Sequence, residues 1–287
     1  MNNMRSKNYS LKINGGIYKT SKTKLAEIMF VLFASFIMIF SGLIISANKT
    51  FDCALIEGPS MYPTINATTK TTNVHDIAYF SKNKKAYKGD IVIVEYKSVG
   101  DDKEAIKRLI ATSGDTICYY GGHILLNGEV LKEPYMDKAY EYLKNNKTAL
   151  LLSGFHSADE WKEYGYNNAK AKFEYWCSIL LREDLTIEQK KSKLAEICKN
   201  KFLTEFFDNY FEKYDGCVKY SEVLETYILT IPDNFVFFVG DNRKDSFDCN
   251  WFGPIEKKYV TAKVCFITTG YMTNSGIISK KILHMFD

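Results

Sequence analysis

One stretch constrains this chain more than any other: from Ile28 to Ala47 the sequence reads IMFVLFASFIMIFSGLIISA, uncharged over about 20 positions. A helix of that length spans the apolar core of a bilayer, and the core helix of a soluble protein rarely runs so far without a charge or an amide. The expectation is a transmembrane anchor over 28–47. A cleavable leader has a shorter apolar core, ~7–15 residues, and ISANKT is a poor small-x-small cleavage site, so the anchor is read as uncleaved. Ahead of it stand Arg5, Lys7, Lys12, Lys19, Lys22 and Lys24 against one acid, Glu27. The positive-inside rule then makes 1–27 a basic cytoplasmic segment and places everything from Asn48 onward outside, a single-pass cell-membrane topology.

The rest of the 287 residues can bury a sizeable core as one large domain or two small ones. A net charge of +4, from 38 basic and 34 acidic residues, is too balanced to argue for a nucleic-acid surface. Seven cysteines are odd in number and scattered without a C-x-x-C pair, and four histidines lack metal-ligand spacing. No metal, cofactor or disulfide framework is implied. Free thiols outside the cell require burial or reducing surroundings.

Beyond the anchor, Asp90–Tyr96, His123–Leu131 and Asn234–Asp241 read as strands, rich in β-branched and aromatic residues, with Asn127-Gly128 suited to a type I′ turn. Between them the texture turns helical. Ser157 with Glu160 and Thr186 with Gln189 mark helix starts, and Ile187, Leu194, Ile197, Phe202, Phe206, Tyr210 and Tyr214 recur at helical steps up to Asp215-Gly216. The domain reading is therefore a β core over 48–136, a helical insert over 137–229 and a second β part over 230–287. The insert's aromatic stripe is expected either to pack on its own helices and the β core or to meet the membrane surface or a partner.

Four blocks follow the apolar run in order: EGPSMYPTI, KGDIVIVEY, AIKRLIATSGDTI and GDNRKDSFDCNWFGPI. Together they resemble the type I signal peptidases, membrane-anchored Ser-Lys endopeptidases that remove signal peptides from exported preproteins. The resemblance implies a mainly β catalytic core of the signal-peptidase kind, α+β overall once the anchor and insert are counted. It implies Ser60 as nucleophile and Lys107 as general base, which a lysine can be only if burial lowers its pKa. Ser246 matches a serine that orients the lysine. Asp241, Asn242, Arg243 and Asp248, with Arg108, match positions supporting the dyad, and Ile56, Met61 and Ile106 match lining positions for small apolar substrate side chains. The partners implied are signal peptides, the lipid bilayer and the secretion machinery.

This chain departs from the family pattern in places. Gly58 stands where some members carry a second oxyanion donor. ATSGD replaces Gly-x-Pro-Gly-Asp, and Cys249-Asn250 replaces Ser-Arg, so an ion pair expected at Asp248 must be remade, with Arg108 as a candidate, or lost. Self-cleaving repressors share the Ser-Lys logic but need a DNA-binding module where this chain has its apolar run. Endoplasmic-reticulum signal peptidases carry histidine at the base position. A membrane-tethered, non-catalytic protein with a degenerate protease fold is the remaining alternative, and the intact Ser60 and Lys107 argue against it.

Overall fold

The computed structural model describes residues 9–13, 16–20, 22–66, 75–95, 104–198, 201–273 and 276–285. Arg5, Lys7 and Tyr96 lie outside them. The chain divides into two compact units, 1–52 and 53–287.

In the first unit, strands β1 (Tyr9–Ile13) and β2 (Gly16–Thr20) form an antiparallel hairpin in the basic segment, and helix α1 runs from Lys22 to Thr50. The helix starts ahead of Ile28, where Lys, Leu, Ala and Glu are good helix formers, and it runs on past Ala47 to Thr50. Lys24–Gly42 is long and apolar enough to cross a membrane, with mean hydropathy 2.1 and none of the window buried.

The second unit begins with β3 (Asp52–Leu55), β4 (His75–Ser81), β5 (Ile91–Glu95), β6 (Glu104–Thr112), β7 (Thr116–Tyr120), β8 (His123–Leu126) and β9 (Glu129–Val130). Five helices follow: α2 (Pro134–Asn145), α3 (Lys147–Leu152), α4 (Ala158–Leu181), α5 (Ile187–Cys198) and α6 (Lys201–Tyr210). Then come β10 (Val218–Ser221), β11 (Thr226–Thr230), β12 (Phe235–Val239), the short α7 (Cys249–Phe252), β13 (Ile255–Glu256), β14 (Val260–Thr273) and β15 (Gly276–Met285). The larger sheet has the order β13-β12-β6-β5-β14-β4-β3, with β15 on β14; the smaller is β10-β11-β7-β8-β9. The architecture is mainly β with an N-terminal apolar helix and a helical layer, α+β overall.

Local chemistry explains much of the element pattern. Asn127 and Gly128 both take positive φ, 55° and 83°, as a type I′ turn requires. Thr186 and Gln189 bond reciprocally, side chain to backbone N–H, and Ser157 Oγ accepts from Glu160 N–H. The segment 137–229 is not helical to its end: Val218–Thr230 forms the β10–β11 hairpin, and β11 continues onto β7 at Leu229↔Ile117. The β-formers Tyr220, Thr226, Tyr227 and Ile228 find a partner strand there, and pairing overrides the helical texture of the preceding residues.

The described part of the aromatic stripe is packed inward, the side chains of Ile197 and Phe202 lying outside the described residues. Leu203, Phe206, Phe207 and Phe211 share one core with Leu109, Ile110, Phe235, Phe237 and Val239 of the larger sheet. Phe173 of α4 lies 5.2 Å from the ring of Tyr119 on β7 and 6.2 Å from that of Phe237 on β12, so one side chain bridges both sheets. Each such side chain contributes about 1.5–3 kcal/mol by leaving water.

Candidate active site

Ser60 sits in the turn following β3, in a stretch rich in Gly, Ser and Pro that cannot continue a strand. Tyr62 N–H bonds the Pro59 carbonyl at 2.9 Å and Ile65 N–H the Met61 carbonyl at 3.0 Å, closing the turn tightly. Asn66, at φ 63°, ties its base: the side-chain amide donates to the Ile56 and Gly58 carbonyls, and its backbone N–H to Asp76. The result is a half-buried Ser60 hydroxyl on a rigid loop.

Lys107 comes from the middle of β6, whose first half, Glu104 to Arg108, pairs with β5 and whose second half, Arg108 to Thr112, pairs with β12. Its side chain is only 3% exposed, and its Nζ lies 3.0 Å from Ser60 Oγ and 3.0 Å from the Ile106 carbonyl. Burial pushes its pKa down from 10.5 to about 8, with the nearby Asp248 and Asp241 carboxylates opposing that fall. Neither close contact is an ion pair, so the neutral amine is accessible near neutral pH.

Arg108, next along the strand, faces the other way and meets a different fate. Its Nε and Nη2 grip the two oxygens of Asp241 at 2.8 and 2.6 Å, its Nη1 donates to the Gly89 carbonyl, and the Tyr135 ring lies 3.6 Å over the guanidinium. Paired in this bidentate way it stays charged despite burial. Arg108 therefore does not remake an ion pair at Asp248. Asp248 instead caps α7, accepting from Asn250 N–H at 3.0 Å and from Gly240 N–H at 2.9 Å. The carboxylate has exchanged a cation for two backbone donors, and Asn250, replacing the family's arginine, accepts from the buried Tyr119 hydroxyl at 2.7 Å.

The loop after β12 abuts the serine turn. Asn242 N–H donates to the Ser60 carbonyl and its side chain to the Pro59 carbonyl, both at 3.0 Å. Arg243 is ion-paired with Glu133 and donates from Nε to the Gly240 carbonyl at 3.0 Å. Gly240 must be glycine, since a Cβ there would fall 2.3 Å from the Ser60 carbonyl oxygen and 2.3 Å from Ser246 Oγ. Ser246 lies in the cluster, yet the hydrogen bond to Lys107 that the resemblance implies is not made. Its Oγ is buried without a hydrogen-bond partner among the described residues. Ile56, Met61 and Ile106, at 5, 2 and 9% exposure, belong to one apolar cluster beside the Ser60–Lys107 pair. At Gly58 (φ 85°) a Cβ would meet open space, so no side chain fills the place of a second donor.

The fold thus brings the candidates Ser60, Lys107, Arg108, Asp241, Asn242, Arg243, Ser246 and Asp248 into one neighbourhood. Glu133, Tyr135 and Asn66 join them without having been singled out. The only local signal for the first two was an acid directly before Pro134, at the first helical position of α2. No group of three or more His, Cys, Asp or Glu side chains suited to a metal occurs among the described residues.

The family model described as signal peptidase, peptidase S26, matches residues 25–269. The chain is 32% identical over 107 residues to signal peptidase I P of Bacillus subtilis subsp. natto, covering 37% of this chain and 54% of that protein. To signal peptidase I of Aquifex aeolicus it is 25% identical over 182 residues, 63% of this chain and 62% of that one. To signal peptidase I of Buchnera aphidicola subsp. Baizongia pistaciae it is 24% identical over 266 residues, 85% and 78% respectively. The chain spans about half the length of the Bacillus relatives it matches. A solved signal peptidase I from Enterococcus faecalis V583 is similar at 20% identity, covering 63% of this chain and 97% of that one with a TM-score of 0.31, an overlap too loose to carry an argument.

Proposed function

The chain belongs to the signal peptidase family, peptidase S26, and from that premise we propose that it is a membrane-anchored serine endopeptidase that removes signal peptides from exported preproteins. The observation that carries this reading is the 3.0 Å approach of Lys107 Nζ to Ser60 Oγ, with the lysine buried and no carboxylate paired to it among the described residues. In the neutral form Lys107 takes the Ser60 proton as Oγ attacks the scissile carbonyl. The resulting ammonium returns that proton to the leaving amine, giving an acyl-enzyme that water attacks with the lysine acting as base again. The backbone N–H of Ser60 stabilises the oxyanion, and Gly58 supplies no hydroxyl beside it.

Substrate enters extended, a mode suited to strand pairing, with small side chains directed toward Ile56, Met61 and Ile106. Helix α1 holds the enzyme at the bilayer with its basic flank on the cytoplasmic side and the catalytic unit outside, where exported chains emerge from the secretion machinery. No cofactor takes part.

The test is cleavage of a purified preprotein by the detergent-solubilised full-length chain. A cut after a small-x-small motif that disappears in Ser60→Ala supports the reading; equal cleavage by Ser60→Ala, or none by the native protein, rejects it. Protease added to spheroplasts should digest the catalytic unit and spare a short N-terminal fragment, and protection of the catalytic unit would reverse the orientation.

A further inference from the structure

Glu133 and Tyr135, at the start of α2, hold the two arginines that flank the serine turn. Glu133 Oε1 accepts from Tyr135 Oη at 2.6 Å and also pairs with the buried Arg243 guanidinium. Arg243 in turn fixes the Gly240 carbonyl, and Gly240 lies against the Ser60 carbonyl so closely that no Cβ fits between them. On the other branch, the Tyr135 ring covers one face of the Arg108 guanidinium at 3.6 Å while the Asp241 carboxylate grips its edge in a bidentate pair. The backbone N–H of Asp241 points at Met61 Sδ, 3.4 Å away, and Asn242 N–H holds the Ser60 carbonyl. Both branches therefore end on the Ser60 carbonyl, the second also on the Met61 side chain.

We propose that Glu133 and Tyr135 are positioning residues that set the distance and direction between Ser60 Oγ and Lys107 Nζ. Neither touches the proposed reacting atoms. Each acts through one arginine: the ring of Tyr135 keeps Arg108 from swinging off Asp241, and the carboxylate of Glu133 keeps Arg243 on Gly240. Both links run through charged groups withdrawn from water, where directional hydrogen bonds are strong and a lost partner is not replaced by solvent. The inference rests on the peptidase reading, because the quantity being positioned is the attack geometry of its dyad.

The experiment measures steady-state cleavage of a signal-peptide substrate by the full-length enzyme in detergent, with thermal melts on every sample. Tyr135→Leu, which removes the ring, should lower kcat by roughly 10²-fold with KM unchanged, the size of effect that a small misplacement of reacting groups produces. Tyr135→Phe, which keeps the ring over Arg108, should recover most of that loss. Glu133→Gln should lower kcat with KM unchanged, and if it fails to fold the Tyr135 pair decides the matter. A native kcat in folded Tyr135→Leu overturns the proposal, as does a loss that Tyr135→Phe does not relieve or that appears in KM instead of kcat. Ser60→Ala run in parallel separates the two layers. If it still cleaves, the peptidase reading itself fails; if it is inactive while Tyr135→Leu is fully active, only the positioning role falls.

Discussion

Lys107 and Phe173 are both withdrawn from solvent, at 3% and 0% exposure, yet burial works in opposite directions at the two places. Around Phe173 the helical layer covers both sheets with aromatic side chains, and every ring that leaves water adds to stability. Around Lys107 the β6 strand takes an amine out of water without an ion pair among the described residues, and burial depresses its pKa to about 8. The first region is where the fold gains free energy; the second is where it gives some back in exchange for a reactive group. That division explains why α4 to α6 cannot be regarded as an accessory: their aromatic side chains and the strands of the proposed site share one core.

The sharpest way to break the comparison is Lys107→Met. Removing the proposed base should lower cleavage by roughly 10⁴-fold or more, while the Ser60→Ala, Lys107→Met double variant is scarcely worse than either single change. The same substitution should stabilise the protein by about 3 kcal/mol in neutral denaturant melts, because an apolar side chain replaces one held at a depressed pKa. A destabilised Lys107→Met would mean that the lysine pays its way in the fold and that the contrast is false.

Phe173→Ala probes the other region, with an expected loss of about 3–5 kcal/mol in the same melts. Replacing 137–229 by a short Gly-Ser linker takes this further: it strips Phe173, Phe206 and Phe207 from the shared core and should leave no cooperative thermal transition. A folded, active deletion variant would show that residues 137–229 are separable from the β core after all.

Acidity gives a smaller and graded effect. Since the base must be neutral, kcat/KM should rise about tenfold per pH unit up to an apparent pKa near 8 and then level off. The sign for stability follows from the same depression: the folded state releases the Lys107 proton near pH 8 and the unfolded chain only near 10.5, so this residue's penalty on folding is full below 8 and fades as pH climbs between the two values. A rate limb with the ordinary lysine pKa would remove Lys107 from the base role.

The smallest effect concerns the seam between the regions. Asn168 of α4 donates to the carbonyls of Arg243 at 3.2 Å and Lys244 at 2.8 Å. Asn168→Ala should cost about 1 kcal/mol in melts and lower kcat only slightly, and a large kcat effect with unchanged stability would move Asn168 from the supporting layer into the site.

The amino-acid sequence alone determined the local features. An uncharged apolar run, the Asn127-Gly128 turn, the Thr186 and Ser157 caps and the order of four short blocks are properties of neighbouring residues, and local sterics or helix-end hydrogen bonding decide them. Ser60 and Lys107 were named as a candidate pair through the resemblance those blocks carry, each lying inside one contiguous block. The sequence was silent on partners across the chain. Arg108 was considered for Asp248 and bonds Asp241; Ser246 was expected on Lys107 and lies unbonded to it; Val218–Thr230 carried helical texture into a hairpin; Glu133 and Tyr135 gave no sign of reaching Arg243 and Arg108. These were decided only when the tertiary structure brought distant residues together, because a buried polar or charged group must satisfy itself from whatever donors and acceptors the packing delivers, and that supply is a property of the assembled core and of no single stretch of chain.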